Sequence, residues 1–119
     1  MKVLTERLRH IAVVRPVGRL VGAPDFALRE SVAAAIAAGS RRVILDLGDI
    51  EQIDSGGIGD LVSAYATAAK RGGSLGLAQL SPRVAETLGA SRLRSIFAIY
   101  STVDEAIAAE PPSGDAARA

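Results

Sequence analysis

The chain has 119 residues, of which 49% are hydrophobic and 23% charged, with a formal net charge of +1 at neutral pH. That length supports one domain around one core, and the near-zero charge with 3% aromatic residues gives neither a field nor stacking platforms for nucleic acid. No Cys and a single His10 exclude disulfides, thiolate metal sites and a histidine-built zinc site, so no metal or other cofactor is expected.

The first residues, Met-Lys-Val-Leu-Thr-Glu-Arg-Leu-Arg, mix charges with apolar side chains, which is unlike a signal peptide, and no run reaches membrane-spanning length. A cytoplasmic location without membrane insertion is expected. Residues 2 to 9 alternate, and Ile11-Ala12-Val13-Val14-Arg15-Pro16-Val17-Gly18 resumes an extended pattern, so the chain opens as a β-hairpin with His10 exposed near its turn. Pro16 cannot donate to a ladder, so its missing N–H faces away from a neighbour or a bulge lies there. After Gly18 and Gly22, Pro24-Asp25 begins a first helix with Phe26, Leu28, Val32, Ile36 and Ala37 at helical spacing, ended by Gly39 in a left-handed conformation.

Val43-Ile44-Leu45-Asp46-Leu47 reads as a strand buried on both faces. A short loop then leads to Asp54-Ser55-Gly56-Gly57, and a second helix runs from about Gly57 to Lys70 with Ser55 as its cap. The unpaired amides and partial positive charge of that helix start, left open by glycines, could accept an anion or a closely approaching partner. Ile58, Leu61, Val62, Tyr65, Ala66 and Ala69 form the helix's apolar stripe, and Arg71-Gly72-Gly73 closes it.

Ser74 to Leu80 is a further buried strand, and Ser81-Pro82 starts a short helix whose inward face carries Val84, Leu88 and Leu93, ending at Gly89. Ile96-Phe97-Ala98-Ile99 is the last strand, and Ser101-Thr102 opens a final helix with Asp104-Glu105 in its favourable first turn. Residues 110–119 lack apolar periodicity and read as a flexible tail after a domain spanning 1–109. The order is β-β-α-β-α-β-α-β-α, which predicts an α/β domain with a mixed, mainly parallel sheet of about five strands, about four helices and a functional turn at a strand's carboxyl end.

Each candidate has a plain alternative. Ser55 reads either as a helix cap contributing about 1 kcal/mol or as a site for a phosphoryl group of about −2 charge. Asp54 reads as a hydrogen-bonding turn residue. Gly56, Gly57 and Gly59 read as close-packing positions, because glycine inside a helix is costly and no nucleotide-loop fingerprint is present. Asp46, Asp49 and Glu51 lie in no catalytic spacing and read as solvated loop charges, and Arg41-Arg42 and Arg92-Arg94 as surface charges.

Val43 to Leu47, Ile53-Asp54-Ser55-Gly56-Gly57-Ile58-Gly59 with Leu61 and Tyr65 behind it, Arg71-Gly72-Gly73, Ser81-Pro82-Arg83-Val84, and Leu93 with Ile96-Phe97 follow one another as in the STAS domain family. The chain resembles that family over roughly residues 2 to 109, and its later segments are most similar to stand-alone anti-sigma factor antagonists. The resemblance implies a non-enzymatic regulator that binds an anti-sigma, serine-kinase-like partner through Asp54, Ser55, Gly56, Gly57 and Ile58 and the exposed face of the following helix, releasing a sigma factor. In those antagonists the turn is Asp-Ser-Ser-Gly and its second Ser is phosphorylated; here that position is Gly56, which leaves Ser55 as the candidate acceptor. The turn Ser55-Gly56 also resembles STAS subunits of bacterial phospholipid ABC transporters, which have a hydroxyl followed by a small residue. A transporter subunit is therefore the alternative partner, and a homodimer is compatible with either reading.

Overall fold

The alternation of side chains along the central strands divides the protein into layers. The computed structural model describes residues 1–22 and 26–109, so the Pro24-Asp25 helix start and the tail at 110–119 lie outside the described residues. β1 (Lys2–Leu8) and β2 (Ile11–Leu20) form the opening antiparallel hairpin, with Leu8 paired to Ile11 and Lys2 to Val17. β2 pairs in parallel with β3 (Arg42–Asp46), β3 with β5 (Ser74–Ala78), and β5 with β6 (Ala98–Tyr100), in the order β1-β2-β3-β5-β6.

One strand is additional to the sequence reading. The loop expected before Asp54 contains β4 (Ile50–Ile53), which pairs in parallel with the far end of β2 beyond an irregularity at Gly18/Arg19 and gives the sheet six strands. β2 thus changes neighbours: residues 11–14 lie beside β3 and 18–20 beside β4, and Pro16 falls between, where no parallel partner needs its missing N–H. Ile50 and Ile53 are buried while Glu51 and Gln52 are exposed, and this four-residue pattern has neither period two nor a continuous apolar run.

Ala12, Val14, Val43, Leu45, Leu75 and Leu77 face the larger core beneath α1 (Ala27–Ala37) and α2 (Ser55–Lys70). Ile11, Val13, Ile44 and Ala78 face the opposite side, where α4 (Val103–Ala108) is the one helix over them among the described residues. α3 (Pro82–Gly89) packs against β4, burying Val84 and Leu88. The expected helix ends hold: Gly39 is at φ +112°, Ser81 Oγ accepts from Val84 N, and Thr102 Oγ1 accepts from Glu105 N.

Several expected faces are rotated. α1 buries Leu28, Val32 and Ala35, whereas Phe26 and Ala37 are exposed, with the Arg29 guanidinium over the Phe26 ring. α2 buries Ile58, Leu61, Ala64 and Ala68, leaving Ala66 and Ala69 outside, because the contact with α1 turns the helix toward its Ala64 side. Leu93 is not inward, and the last strand starts at Ala98: residues Arg92–Ile96 wind into a 3-10 turn, capped by Ser91 Oγ on Leu93 N, that exposes Leu93 and Ile96 and buries Phe97 against Tyr65. Among the described residues no helix is long and apolar enough to cross a membrane.

Candidate functional site

β4 carries the chain directly to the turn at Asp54, so the turn does stand at a strand's carboxyl end, that of β4 and not of β3. Asp54 is extended, with φ −128° and ψ −170°, and its carboxylate reaches forward over the first helical turn. Oδ1 accepts from Gly57 N at 3.0 Å and Oδ2 from Gly22 N at 2.9 Å, while Asp54 N donates to Leu20 O at 3.2 Å. Asp54 is therefore the N-cap and Ser55 the first helical residue, which corrects the expectation that Ser55 caps α2. Asp serves as well as Ser in that role, and Gly57, whose amide donates to it, is the third residue after it.

These amides hold the Asp54 carboxyl below its ordinary 3.8, Gly22 contributing most and Gly57 next. The helix start already carries an anion supplied by the chain itself, so it is not an open anion site. Ser55 lies outside this network. It is exposed, and its hydroxyl has no hydrogen-bond partner among the described residues.

The glycines differ in what they allow. A Cβ at Gly56 would fall on the Gly22 carbonyl oxygen, and one at Gly57 would fall on the Leu20 carbonyl oxygen and lie 2.8 Å from Ile53 Cγ1. The start of α2 is thus pressed against the end of β2 at a separation only glycine permits. Gly59 is different: a Cβ there meets nothing within 4 Å, so close packing does not explain it. Gly57 and Ile58 are buried and support the turn from below, and the surface it presents is formed by Asp54, Ser55 and Gly56. Ser55 continues along α2 into exposed Gly59, half-buried Ser63 and exposed Ala66, a shallow stripe of small residues one helical face wide.

The remaining candidates separate. Asp46 is buried, not solvated, and its Oδ1 accepts from Gly48 N at 2.9 Å and Gln79 Nε2 at 3.2 Å. Arg42 is buried too, with a guanidinium N–H donating to Ala109 O at 3.2 Å and the group standing over the Tyr100 ring. Asp49 pairs with Arg15 at 3.4 Å between exposed side chains, a contact worth little, and Glu51 and His10 are exposed. Among the described residues no group of three His, Cys, Asp or Glu could hold a metal ion. Sequence reasoning missed Leu20 and Gly22 as parts of the site; their contributions are backbone atoms, and the only signal was a glycine after a strand.

A STAS domain model matches residues 2–106. The chain belongs to the STAS domain family. It is similar to BtrV of Bordetella bronchiseptica, named a candidate anti-sigma factor antagonist, at 29% identity over 92% of this chain and 94% of that protein. A Thermotoga neapolitana homologue of TM1081 under the same description is 33% identical over 58% of this chain and 61% of its own length. The crystal structure of an anti-sigma factor antagonist from Mycobacterium paratuberculosis shares the fold, with a TM-score of 0.75 at 24% identity, covering 89% of this chain and 90% of that one. This STAS domain has a six-stranded α/β layout and presents an Asp54-Ser55-Gly56-Gly57 turn.

Proposed function

We propose that this STAS domain is an anti-sigma factor antagonist, a cytoplasmic regulator without catalysis that captures an anti-sigma factor and thereby frees a sigma factor. The observation that carries the reading is the exposed Ser55 hydroxyl, without a hydrogen-bond partner among the described residues, at the head of a stripe of small residues on α2. Small side chains let a partner's backbone approach along the stripe, and no long charged side chain intervenes before Lys70. The names of the relatives support the same partner class.

Control by a kinase-like partner would act at Ser55. Transfer of the γ-phosphoryl group of ATP to Ser55 Oγ, leaving ADP, places about −2 charge beside the Asp54 carboxylate at the centre of the contact surface. Titration calorimetry against anti-sigma factors of the same genome tests the capture. Binding by the wild type, retained in Ser55→Ala and weakened about tenfold or more in Ser55→Glu, is expected. Failure to bind any of them, or indifference to Ser55→Glu, would remove the antagonist reading or the role of the turn respectively. Mass spectrometry after incubation with the kinase and ATP should show one phosphate that Ser55→Ala lacks.

A second reading is favoured by the hydroxyl-then-small turn: the domain regulates a membrane ABC transporter. A pull-down that recovers a permease or ATPase subunit in place of an anti-sigma factor would select it.

A further inference from the structure

The two edges of the sheet carry exposed apolar groups of opposite electrostatic setting. At the β1 edge, beside α4, lies a cleft of about 490 Å³ on the side of the sheet that α4 covers only in part. Its apolar lining includes Leu4 and Leu8, 38% and 44% exposed, together with Val13 and Ile107. Two exposed carboxylates, Glu6 and Asp104, and the buried Asp46 line the same cleft, against one lining cation among the described residues, Arg15, which forms an exposed pair with Asp49. The cleft has an apolar lining and the two exposed carboxylates of Glu6 and Asp104.

The opposite edge bears the complement. The 3-10 turn Arg92–Ile96, which leads into β6, is exposed at all five positions. Leu93 and Ile96 project 41% and 37% exposed, and Arg92 and Arg94, on either side of Leu93, have no carboxylate partner among the described residues. Paired apolar groups left in solvent beside unpaired cations mark a contact surface. The cleft, which runs from β1 to α4, and the turn share no residue.

We propose that copies of this chain associate head to tail, the Arg92–Ile96 turn of one copy seating in the β1–α4 cleft of the next. Leu93 and Ile96 enter the apolar lining, and the two guanidinium groups meet the exposed carboxylates of Glu6 and Asp104. Because the contact joins two different surfaces, each pair leaves one turn and one cleft free, and assembly continues beyond two copies. Neither surface includes Asp54 or Ser55, so the proposal stands independently of the antagonist reading.

Sedimentation of the full chain from about 10 µM to about 1 mM covers the range in which a contact of this small class dissociates. The weight-average mass should rise from the 12.3 kDa of one chain to beyond twice that value. Leu93→Asp/Ile96→Asp, which disables the turn, and Leu4→Asp/Leu8→Asp, which disables the cleft, should each remain at the mass of one chain; these positions are exposed, and matching unfolding curves confirm that the variants fold. Mixing the two should give a complex that stops at two chains, since only one turn and one cleft remain intact. Arg92→Glu/Arg94→Glu should also be monomeric, and mixing it with Glu6→Lys/Asp104→Lys should restore association. A wild type at single-chain mass throughout, association retained by either single-surface variant, or no complex on mixing would overturn the proposal.

Discussion

Replacing Gly57 and Gly59 separately by Ala should move stability in opposite directions. In the interior of a helix Ala is better than Gly by about 1 kcal/mol, so propensity alone favours both substitutions. At Gly57 the added methyl falls on the Leu20 carbonyl oxygen, which is held in place by Asp54 N, and lies 2.8 Å from Ile53 Cγ1. Neither neighbour is the free end of a flexible side chain: Leu20 is backbone in β2, and Ile53 is buried in β4. Overpacking of this kind costs about 1–3 kcal/mol, and the closeness of the approach favours the upper part of that range. The net effect at Gly57 is a destabilisation of about 1–2 kcal/mol, which in a domain of this size lowers the melting temperature by about 4–16 °C. At Gly59 nothing opposes the methyl, and Ala should stabilise by about 0.5–1 kcal/mol, raising it by about 2–8 °C. Calorimetric melting and urea titration with a shared m-value measure both. A Gly57→Ala protein as stable as the wild type, or two variants shifted alike, would refute the reasoning that α2 is docked through its glycines.

The other predictions concern the same turn and the closure of the domain. Gly56→Ser, which adds a hydroxyl at the second turn position, should lower the melting temperature more than Gly59→Ser, because its Cβ meets the Gly22 carbonyl; equal shifts would show that this contact yields freely. Asp54→Asn should melt below the wild type at neutral pH. The folded pKa of Asp54 lies below its ordinary 3.8, so its stabilisation is complete above that value and is lost as pH falls through the folded pKa. The gap between the two melting curves should therefore close below about pH 4, and a gap unchanged down to pH 2 would contradict the assignment. Arg42→Met should cost about 1–2 kcal/mol in urea titration by releasing the Ala109 carbonyl, with the fastest added amide exchange in α4. Equal exchange across the domain would show that Arg42 does not tie α4 down.

What the sequence determined by itself was whatever depends on neighbours along the chain. The apolar strands around Val43–Leu47 and Ser74–Leu80, the helix ends at Gly39, Ser81 and Thr102, the hairpin and the Asp-Ser-Gly-Gly turn all rest on local composition and spacing, and they stand in the structure. β4 was not legible, because four residues with two exposed charged or polar positions form a strand only when the end of β2 offers its backbone. The faces of α1 and α2 were set by their contact with each other, which moved Ala66, Ala69 and Phe26 outward, and a 3-10 turn stabilised by Ser91 did the same for Leu93. At the site, tertiary structure assigned the capping role to Asp54 and left Ser55 exposed. That decision belongs to Leu20 and Gly22, more than thirty residues away in the chain, whose backbone atoms pair with Asp54 and leave no room for a side chain at Gly56 or Gly57. A pattern of side chains does not encode the position of a distant carbonyl, and it is that position which makes glycine necessary at the turn.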